Sequence, residues 1–206
     1  MAKGAEADLY LVEWNGLKAL KKIRKPKKYR HLELDYQLRK TRTNHEADAI
    51  HRAKNNGIPT PLLYHVDNEN GVIVMEYVNG VKIRDLVDQL EDDERIKLFK
   101  KIGYYAGLLH KSGIIHGDLT TSNIIKSDDR VVFIDFGLSE VNYEVEKRGV
   151  DLNLMKRMLT STHFNHQEKL LEAFKEGYRV SMDDEAEEAL ARMIEVSKRG
   201  RYIEKN

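Results

Sequence analysis

The sequence predicts an α+β fold of two lobes, in which a small antiparallel sheet with one long helix is followed by a mainly helical second lobe. Short apolar runs bounded by turn signals fill the first 80 residues, whereas apolar residues recur at helical spacing from residue 83 onward. The 206 residues are enough to bury a substantial core as one domain.

The first lobe opens with a predicted hairpin. Apolar runs at 9–14 and 17–23 flank Asn15-Gly16, a dipeptide that favours a tight turn with positive φ. A helix is predicted around residues 41–55, and a short apolar strand at 71–75. These strands supply the predicted sheet.

The second lobe is predicted to consist mainly of helices. The longest spans residues 94–111, where apolar residues recur at helical spacing. Others are predicted at 83–90, 151–159, 167–179 and 184–197, with Asn165 as a cap.

Two polar motifs are the most informative feature of the chain. His-Gly-Asp-Leu-Thr-Thr-Ser-Asn at 116–123 precedes Asp-Phe-Gly at 135–137, and a short apolar run leads into each motif. This order and spacing are typical of phosphotransfer: Asp118 orients a hydroxyl or water nucleophile, and Asn123 and Asp135 hold magnesium beneath the phosphates of a nucleotide. Either motif alone is ordinary turn chemistry, so the prediction depends on their combination.

The first lobe supplies the rest of the predicted nucleotide site. Alternation puts Ala19 and Lys21 on one strand face, which favours Lys21 as the phosphate-binding lysine, and Lys22 is the alternative if a bulge swaps the faces. Glu46 of the predicted helix is placed to pair with that lysine. A small-residue lip before the hairpin is expected to cover phosphates with backbone N–H groups. The lip consists of Gly4, Ala5, Glu6 and Ala7.

A hinge is predicted where the apolar strand gives way to an exposed connector. The carbonyl of Glu76 and the N–H of Val78 would bind the edge of an adenine, with Met75 as the gatekeeping side chain. The predicted boundaries are 1–76 for the N-lobe, 77–80 for the hinge and 81–206 for the C-lobe with a basic C-terminal tail.

Composition excludes several other classes. The chain has no cysteine and its eight histidines are scattered, which argues against a disulfide framework and a Cys/His metal site. No apolar stretch approaches the roughly 20 residues that span a bilayer, and no signal peptide opens the chain. We therefore expect a soluble, cytoplasmic protein.

The net charge of +1 hides a strong local asymmetry. Residues 18–42 contain eleven Lys or Arg and two acids, so this run is a candidate contact for RNA or an acidic partner, although a solvated helix and loop explains it equally well. The C-terminal tail repeats the pattern with Lys198, Arg199 and Arg201, which are candidate transfer RNA (tRNA) contacts, beside an aromatic residue. A frayed basic terminus is the alternative.

The hinge, catalytic and magnesium motifs resemble the protein kinase superfamily. The lip, Tyr-Arg-His at 29–31 and Arg-Thr-x-x-Glu-Ala at 42–47 resemble one branch of it, the small atypical kinases of the KEOPS complex, a p53-related protein kinase-like family. The likeness covers essentially the whole chain, and the stretch from 29 to 47 is not a general kinase feature. The lip lies so near the start of the chain that it suggests the kinase domain of a longer fused archaeal polypeptide.

The resemblance implies an ATP-using and Mg²⁺-using subunit of the machinery that makes N6-threonylcarbamoyladenosine in tRNA. Its implied partners are the threonylcarbamoyl-transferase subunit, the other KEOPS subunits and, through the complex, tRNA. The implied activity is more ATP hydrolysis and autophosphorylation on Ser or Thr than broad protein phosphorylation. Asp118 is implied as the catalytic acid, and the lysine paired with Glu46 as the phosphate-positioning group.

Three departures from the kinase pattern limit what the resemblance implies. Gly117 replaces the Arg that senses a phosphorylated activation loop, Thr120 replaces a Lys near the γ-phosphate, and no Ala-Pro-Glu follows Gly137. We therefore expect an incomplete activation segment and no shelf for an extended peptide. The alternatives are a free-standing RIO-like serine/threonine kinase, against which the 29–47 stretch argues, and a nucleotide-sensing scaffold with little turnover, against which the intact acids argue.

Overall fold

The first lobe contains the hairpin and sheet that the sequence predicts. A computed structural model describes residues 2–3, 7–27 and 29–203. Within these residues, β1 (Ala2–Lys3), β2 (Asp8–Trp14), β3 (Leu17–Ile23), β4 (Leu63–Asp67) and β5 (Val72–Glu76) form an antiparallel sheet in the order β1-β2-β3-β5-β4. Asn15 and Gly16 have φ of 49° and 79°, so the predicted tight turn is confirmed.

Helix α1 (Leu32–Asn55) packs beside this sheet and starts nine residues earlier than the sequence predicts. Its first turns carry ions rather than an apolar stripe. Buried Asp35 accepts hydrogen bonds from Lys27 N (3.1 Å) and from Arg39 Nε (2.8 Å) one turn further along. A helix held by charge pairs has no apolar periodicity to read, which is why its beginning was missed.

The second lobe is built around α3 (Asp92–Lys111). Glu91 and Glu94 form a capping box at its start, two residues before the predicted one. Around it lie α2 (Ile83–Leu86), α4 (Val145–Thr162), α5 (Gln167–Met182) and α6 (Ala186–Ile203). Helix α5 begins after His166 without a side-chain cap, so the expected role of Asn165 as a cap is wrong.

Short strands carry the polar motifs between these helices. In the described part of the chain, β6 (Val81–Lys82), β8 (Ile124–Ser127) and β9 (Arg130–Phe133) form one small sheet, and β7 (Ile114–Ile115) pairs with β10 (Glu140–Val141). The predicted α+β architecture is therefore confirmed.

Helices α3 and α5 approach closely enough for their backbones to touch. A Cβ on Gly103 would lie 1.9 Å from the carbonyl oxygen of Phe174, and one on Gly177 would lie 1.8 Å from that of Lys100. Only glycine fits at these crossings. The seam therefore fixes α3 against α5.

None of the helices in the described ranges combines the length and apolar character that crossing a membrane requires.

Candidate active site

A cavity of about 630 Å³ gathers most of the residues that the sequence singled out. Its lining includes both charged and apolar groups. The charged and polar residues are Lys22, Arg24, Glu46, Glu76, Lys82, Asp118, Asn123 and Asp135. The apolar ones include Leu9, Leu20, Met75, Val78, Ile125 and Ile134. This volume is in the range of small-molecule and cofactor sites.

The two polar motifs form the lower wall of this cavity. Asn123 Nδ2 donates to Asp118 Oδ2 at 2.7 Å and to the Asp118 carbonyl at 3.0 Å. The N–H of Ile134, one residue before Asp135, donates to the Asn123 carbonyl at 2.9 Å. The hydrogen bonds therefore bring Asp118, Asn123 and Asp135 to one place although 17 residues separate the two acids in sequence.

The loop that carries Asp118 rests on a buried carboxylate that the sequence reasoning missed. Asp151 of α4 accepts from the backbone N–H of His116 (2.8 Å) and of Gly117 (3.0 Å), and it lies 3.1 Å from His110 Nε2. His110 Nδ1 in turn lies 2.9 Å from the Tyr178 hydroxyl. Burial alone would raise the pKa of Asp151, but the His110 side chain and these backbone donors outweigh it and the pKa is lowered.

One signal of this support was present in the sequence. Asp151 stands in the run Gly-Val-Asp-Leu-Asn-Leu-Met at 149–155, and an acid inside a largely apolar helical run needs partners if it is buried. In the structure Asp151 is 1% exposed. The identity of those partners is a tertiary property. The aromatic ring of Phe136, 4.7 Å from the His116 ring centroid, packs on the same loop.

The upper wall corrects the choice of lysine. Lys22 Nζ donates to Glu46 Oε1 at 2.7 Å and to Asp135 Oδ1 at 2.8 Å, whereas Lys21 is not among the residues that line the cavity. The ladders of β3 with β2 and β5 are regular, so no bulge is involved. The face that carries Leu20 packs toward α1 and also faces the cavity, and period two places Lys22, not Lys21, on it.

Lys22 of this wall and Asp135 of the lower wall favour each other's charged form. Burial would lower the pKa of the Lys22 ammonium, but the carboxylates of Glu46 and Asp135 outweigh it and the pKa is raised. Desolvation would raise the pKa of Asp135, but Lys22 outweighs it and the pKa is lowered. Asp135 stays 54% accessible, so its carboxylate is open to a ligand at the cavity.

Arg24 is a second cation of this wall that the sequence reasoning missed. Its Nη2 donates to Glu46 Oε2 at 2.6 Å, and its side chain is 3% exposed. It lies two residues after Lys22 and therefore on the same face of the chain. Strand alternation would have predicted that Arg24 faces the cavity if Lys22, and not Lys21, had been taken as the inward residue.

The residues predicted to contact adenine at the hinge line the cavity. Met75 is buried against Ala47 and Ile73, and Met75, Glu76 and Val78 all line the cavity. The Glu76 carboxylate accepts from Leu62 N and from Arg130 Nη1, each at 3.0 Å. Burial would raise the pKa of Glu76, but Arg130 and the Leu62 N–H outweigh it and the pKa is lowered. The contacts of the Glu76 carbonyl and the Val78 N–H with adenine remain a prediction.

The lip and the tail are only partly described. Ala7 lines the cavity, whereas Gly4, Ala5 and Glu6 lie outside the described residues. Lys198 and Arg199 are exposed on α6, and Arg199 Nη1 donates to Glu146 Oε1 at 2.7 Å. The backbone of Arg201 belongs to α6, but its side chain is not among those described.

The segment after Gly137 is short, as the sequence predicts. Residues 138–144 connect it to α4, and within them β10 pairs back onto β7. Gly117 has φ of 79°, and a Cβ there would lie 2.1 Å from the Leu138 carbonyl oxygen. The departure from arginine at this position therefore has a steric cause.

Comparisons with known proteins agree with this geometry. A family model described as the RIO domain matches residues 11–159. The KEOPS complex subunit Bud32 of Pyrococcus abyssi is 42% identical, over 99% of this chain and 96% of that protein. A probable bifunctional tRNA threonylcarbamoyladenosine biosynthesis protein of Methanothermobacter thermautotrophicus is 43% identical over 99% of this chain and 36% of its own length. The chain thus spans about a third of that bifunctional relative.

Structural similarity supports the fold. This chain superposes with a TM-score of 0.65 on the crystal structure of the Rio2 kinase–ADP/Mg²⁺–phosphoaspartate complex from Chaetomium thermophilum. The two sequences are 16% identical, and the match covers 96% of this chain and 70% of that one. The sequence reasoning set RIO proteins apart as an alternative, but the two groups overlap. The chain belongs to the RIO-domain family of kinase-like proteins and, within it, to the Bud32 family.

Proposed function

We propose that this protein is a Mg²⁺-ATP-dependent phosphotransferase that hydrolyses ATP and phosphorylates itself on Ser or Thr, in support of tRNA N6-threonylcarbamoyladenosine synthesis within a KEOPS complex. One observation carries the catalytic part: Lys22 is paired with both Glu46 and Asp135 across one cavity from Asp118 and Asn123. The biological part is supported by the names of the relatives, one a KEOPS subunit and one a tRNA threonylcarbamoyladenosine biosynthesis protein.

The residues present fit ATP. Leu9, Leu20, Val78 and Ile134 offer an apolar slot for a flat base, and Lys22 supplies a fixed positive charge for the phosphates. The backbone of Glu76 and Val78 is proposed to hold the adenine edge, and Ala7 with Gly4, Ala5 and Glu6 to cover the phosphates. The cavity is large enough for one nucleotide.

The lower wall of the cavity, formed by the two polar motifs, fits magnesium. Asp135 and Asn123 offer hard oxygen ligands, and Mg²⁺ in nucleotide sites is usually held by one or two carboxylates plus phosphate oxygens. Among the described residues, no group of three or more His, Cys, Asp or Glu forms a closed metal cage, so the phosphates would complete the coordination. Bound Mg²⁺ would neutralise charge that develops on the phosphates.

Asp118 is proposed to position the nucleophile. Its Oδ2 is engaged by Asn123, whereas its Oδ1 accepts no hydrogen bond from the described residues. That oxygen can accept a hydrogen bond from the O–H of water or of a Ser or Thr side chain. The oxygen of that water or hydroxyl then bonds to the γ-phosphorus as the bond between this phosphorus and the ADP oxygen breaks, and the proton of the nucleophile passes to Asp118 or to the transferred phosphoryl group.

The short segment after Gly137 favours hydrolysis and self-phosphorylation over broad protein phosphorylation. Residues 138–144 turn back through β10 onto β7, which leaves little backbone on which an extended peptide can lie. The phosphoacceptor hydroxyl or water is therefore proposed to reach Asp118 without a peptide-binding shelf.

The proposed partners are the threonylcarbamoyl-transferase subunit, the other KEOPS subunits and tRNA, in the cytoplasm. Lys198, Arg199 and Arg201 are proposed tRNA contacts because α6 presents Lys198 and Arg199 on the surface. A free-standing RIO-like kinase is the second candidate, supported by the RIO-domain match.

The test follows ATP labelled at the γ-phosphate, with magnesium, in the presence and absence of the transferase partner and tRNA. Release of labelled inorganic phosphate that changes when partner and tRNA are added is expected. Transfer of label to an added protein substrate, indifferent to both, would identify a free-standing kinase and contradict the complex-bound role.

A further inference from the structure

A second cavity, of about 200 Å³, adjoins the nucleotide cavity, and Arg24 lines both. Its wall is almost entirely cationic, because six of its seven lining residues are Lys or Arg and the seventh is Tyr29. The cations are Arg24, Lys25, Lys27, Arg30, Arg39 and Arg42. Like charges gathered around a cavity repel one another unless an anion is shared between them.

Three carboxylates that pair with cations of this wall do not line the cavity. Arg39 Nε is 2.8 Å from Asp35 and Arg30 Nη1 is 3.6 Å from the same carboxylate. Lys25 pairs with Asp8, and Arg24 with Glu46. Asp8, Asp35 and Glu46 do not line the second cavity, so the only charged side chains among its described lining residues are cations.

Arg24 supplies an independent observation. Its side chain is 3% exposed, and within the described part of the chain its Nε and Nη1 have no hydrogen-bond partner, whereas Nη2 is satisfied by Glu46. Buried donors of a charged group are costly to leave unpaired, and native structures seldom do so without a functional reason. An anion in the second cavity would accept from them.

We propose that this cavity is a binding site for a phosphate group, separate from the nucleotide site. Guanidinium groups match the oxygen geometry of phosphate, and this wall contains four of them. At about 200 Å³ the cavity is below the usual size of sites for whole cofactors, so it suits one phosphate rather than a nucleotide. Tyr29 is 78% exposed, and its ring centre is 5.4 Å from the Arg30 guanidinium carbon.

The site is joined to the nucleotide cavity through one chain of contacts. Arg24 donates to Glu46, and Glu46 accepts from Lys22. A phosphate bound to Arg24 offsets the positive charge that Arg24 places beside Glu46, and this alters the ion pair between Glu46 and Lys22. Occupancy of the site is therefore expected to alter ATP hydrolysis. This coupling, unlike phosphate binding itself, rests on the proposed function.

Backbone amide NMR of the ¹⁵N-labelled protein tests the site directly. Inorganic phosphate is titrated against chloride at constant ionic strength, so that general screening cancels. We expect saturable shifts at the amides of Lys25, Lys27 and Arg30. Arg30→Gln and Arg42→Gln should each weaken this binding about tenfold, which corresponds to about 1.4 kcal/mol. Arg52→Gln, an exposed arginine near the far end of α1, is the matched control and should leave it unchanged.

The outcomes separate the alternatives. Shifts confined to the amides of Leu9 and Val78 would place phosphate in the nucleotide cavity alone and overturn the proposal. Shifts that do not saturate, or that Arg52→Gln weakens as much as Arg42→Gln, would show general attraction to a basic surface and overturn it too. Circular dichroism confirms that each variant is folded before its titration is interpreted.

A second arm identifies the source of the phosphate. Short single-stranded RNA is added to the phosphate-saturated protein. Displacement of inorganic phosphate from the same amides assigns the site to a phosphodiester of an RNA backbone. Retention of phosphate assigns it to free phosphate or a phosphomonoester, and both results support the site. Failure of ATP hydrolysis in the assay above would leave this binding result intact, so the two proposals fail separately.

Discussion

The two walls of the larger cavity, of about 630 Å³, are held in place by different interactions. The lower wall, with Asp118 and Asn123, rests on the fully buried carboxylate of Asp151 and on backbone N–H groups. The upper wall depends on ion pairs that meet at Lys22, one of them with the half-exposed Asp135. Buried hydrogen-bonded groups are fixed, whereas accessible ion pairs exchange partners at little cost. The part of the lower wall that contains Asp118 and Asn123 is therefore a preformed platform, whereas Asp135 can leave Lys22 of the upper wall for a cation.

The largest effect should come from the platform itself. Asp118→Ala removes the oxygen proposed to orient the nucleophile, and we expect a loss of about 10³-fold in phosphate release. Nucleotide binding should stay nearly intact, because the cavity and Lys22 are unchanged. Single-turnover release of labelled phosphate and equilibrium nucleotide binding measure the two. Unchanged release would remove Asp118 from the mechanism.

The two adjacent lysines sharpen the description of the upper wall. Lys22→Met should lower phosphate release about 100-fold by removing the charge opposite the phosphates. Lys21→Met, the matched change on the other strand face, should alter it less than about twofold, since Lys21 does not line the cavity. Equal losses in both variants would contradict the strand register on which the lysine correction depends.

The support beneath the platform can be tested through stability. Asp151→Asn turns one acceptor into a donor that opposes the N–H of His116 or Gly117, and it removes the charge near His110. We expect a loss of about 2–3 kcal/mol in the free energy of unfolding in urea. Glu146→Gln, on the exposed side of the same helix, is the control and should cost less than about 0.5 kcal/mol. Similar losses would mean that Asp151 is not the anchor.

Acid should reduce the difference in unfolding free energy between wild type and Asp151→Asn. The pKa of Asp151 is lowered in the folded protein, so its charge contributes stability above the unfolded value of 3.8, and this is lost as the pH falls through the folded pKa. The gap in unfolding free energy between wild type and Asp151→Asn should be full near about pH 5 and should shrink steadily below about pH 3.8. If this gap in unfolding free energy widened on acidification, the charge of Asp151 would not be stabilising and the prediction would be contradicted.

The smallest effect is expected at the C-terminal end of α6. Arg201→Ala should weaken tRNA binding only about threefold, because it removes one of several proposed contacts between basic side chains and the phosphates of the tRNA backbone. Electrophoretic mobility shift at fixed salt measures it. Glu195→Gln on the same helix removes a negative charge instead, and should not weaken binding. Equal affinity of wild type and Arg201→Ala would remove this residue from the tRNA contact.

The contiguous motifs of the lower wall were predictable because their chemistry is carried by residue type and spacing. Asp118, Asn123 and Asp135 meet in the cavity as the sequence indicated. The hairpin followed in the same way from the local turn signal of Asn15-Gly16. These features need no knowledge of distant parts of the chain.

What the sequence could not supply depends on tertiary contacts. Strand alternation says that Lys21 and Lys22 point in opposite directions, but only the packing of β3 on α1 decides which direction is inward. The start of α1 was hidden because Asp35 and Arg39 stabilise it by charge rather than by apolar periodicity. Asp151 and Arg24 acquire their roles from partners more than 20 residues away.

Gly117 has a consequence for how such a protein can evolve. With φ of 79° and the Leu138 carbonyl 2.1 Å from where a Cβ would stand, the backbone itself fills the space that an arginine side chain would need. A single substitution cannot restore an arginine sensor here, because residues 138–144 would have to be rerouted in the same event. An arginine that senses a phosphorylated loop is therefore out of reach of any one substitution at this position, because the path of residues 138–144 excludes its side chain.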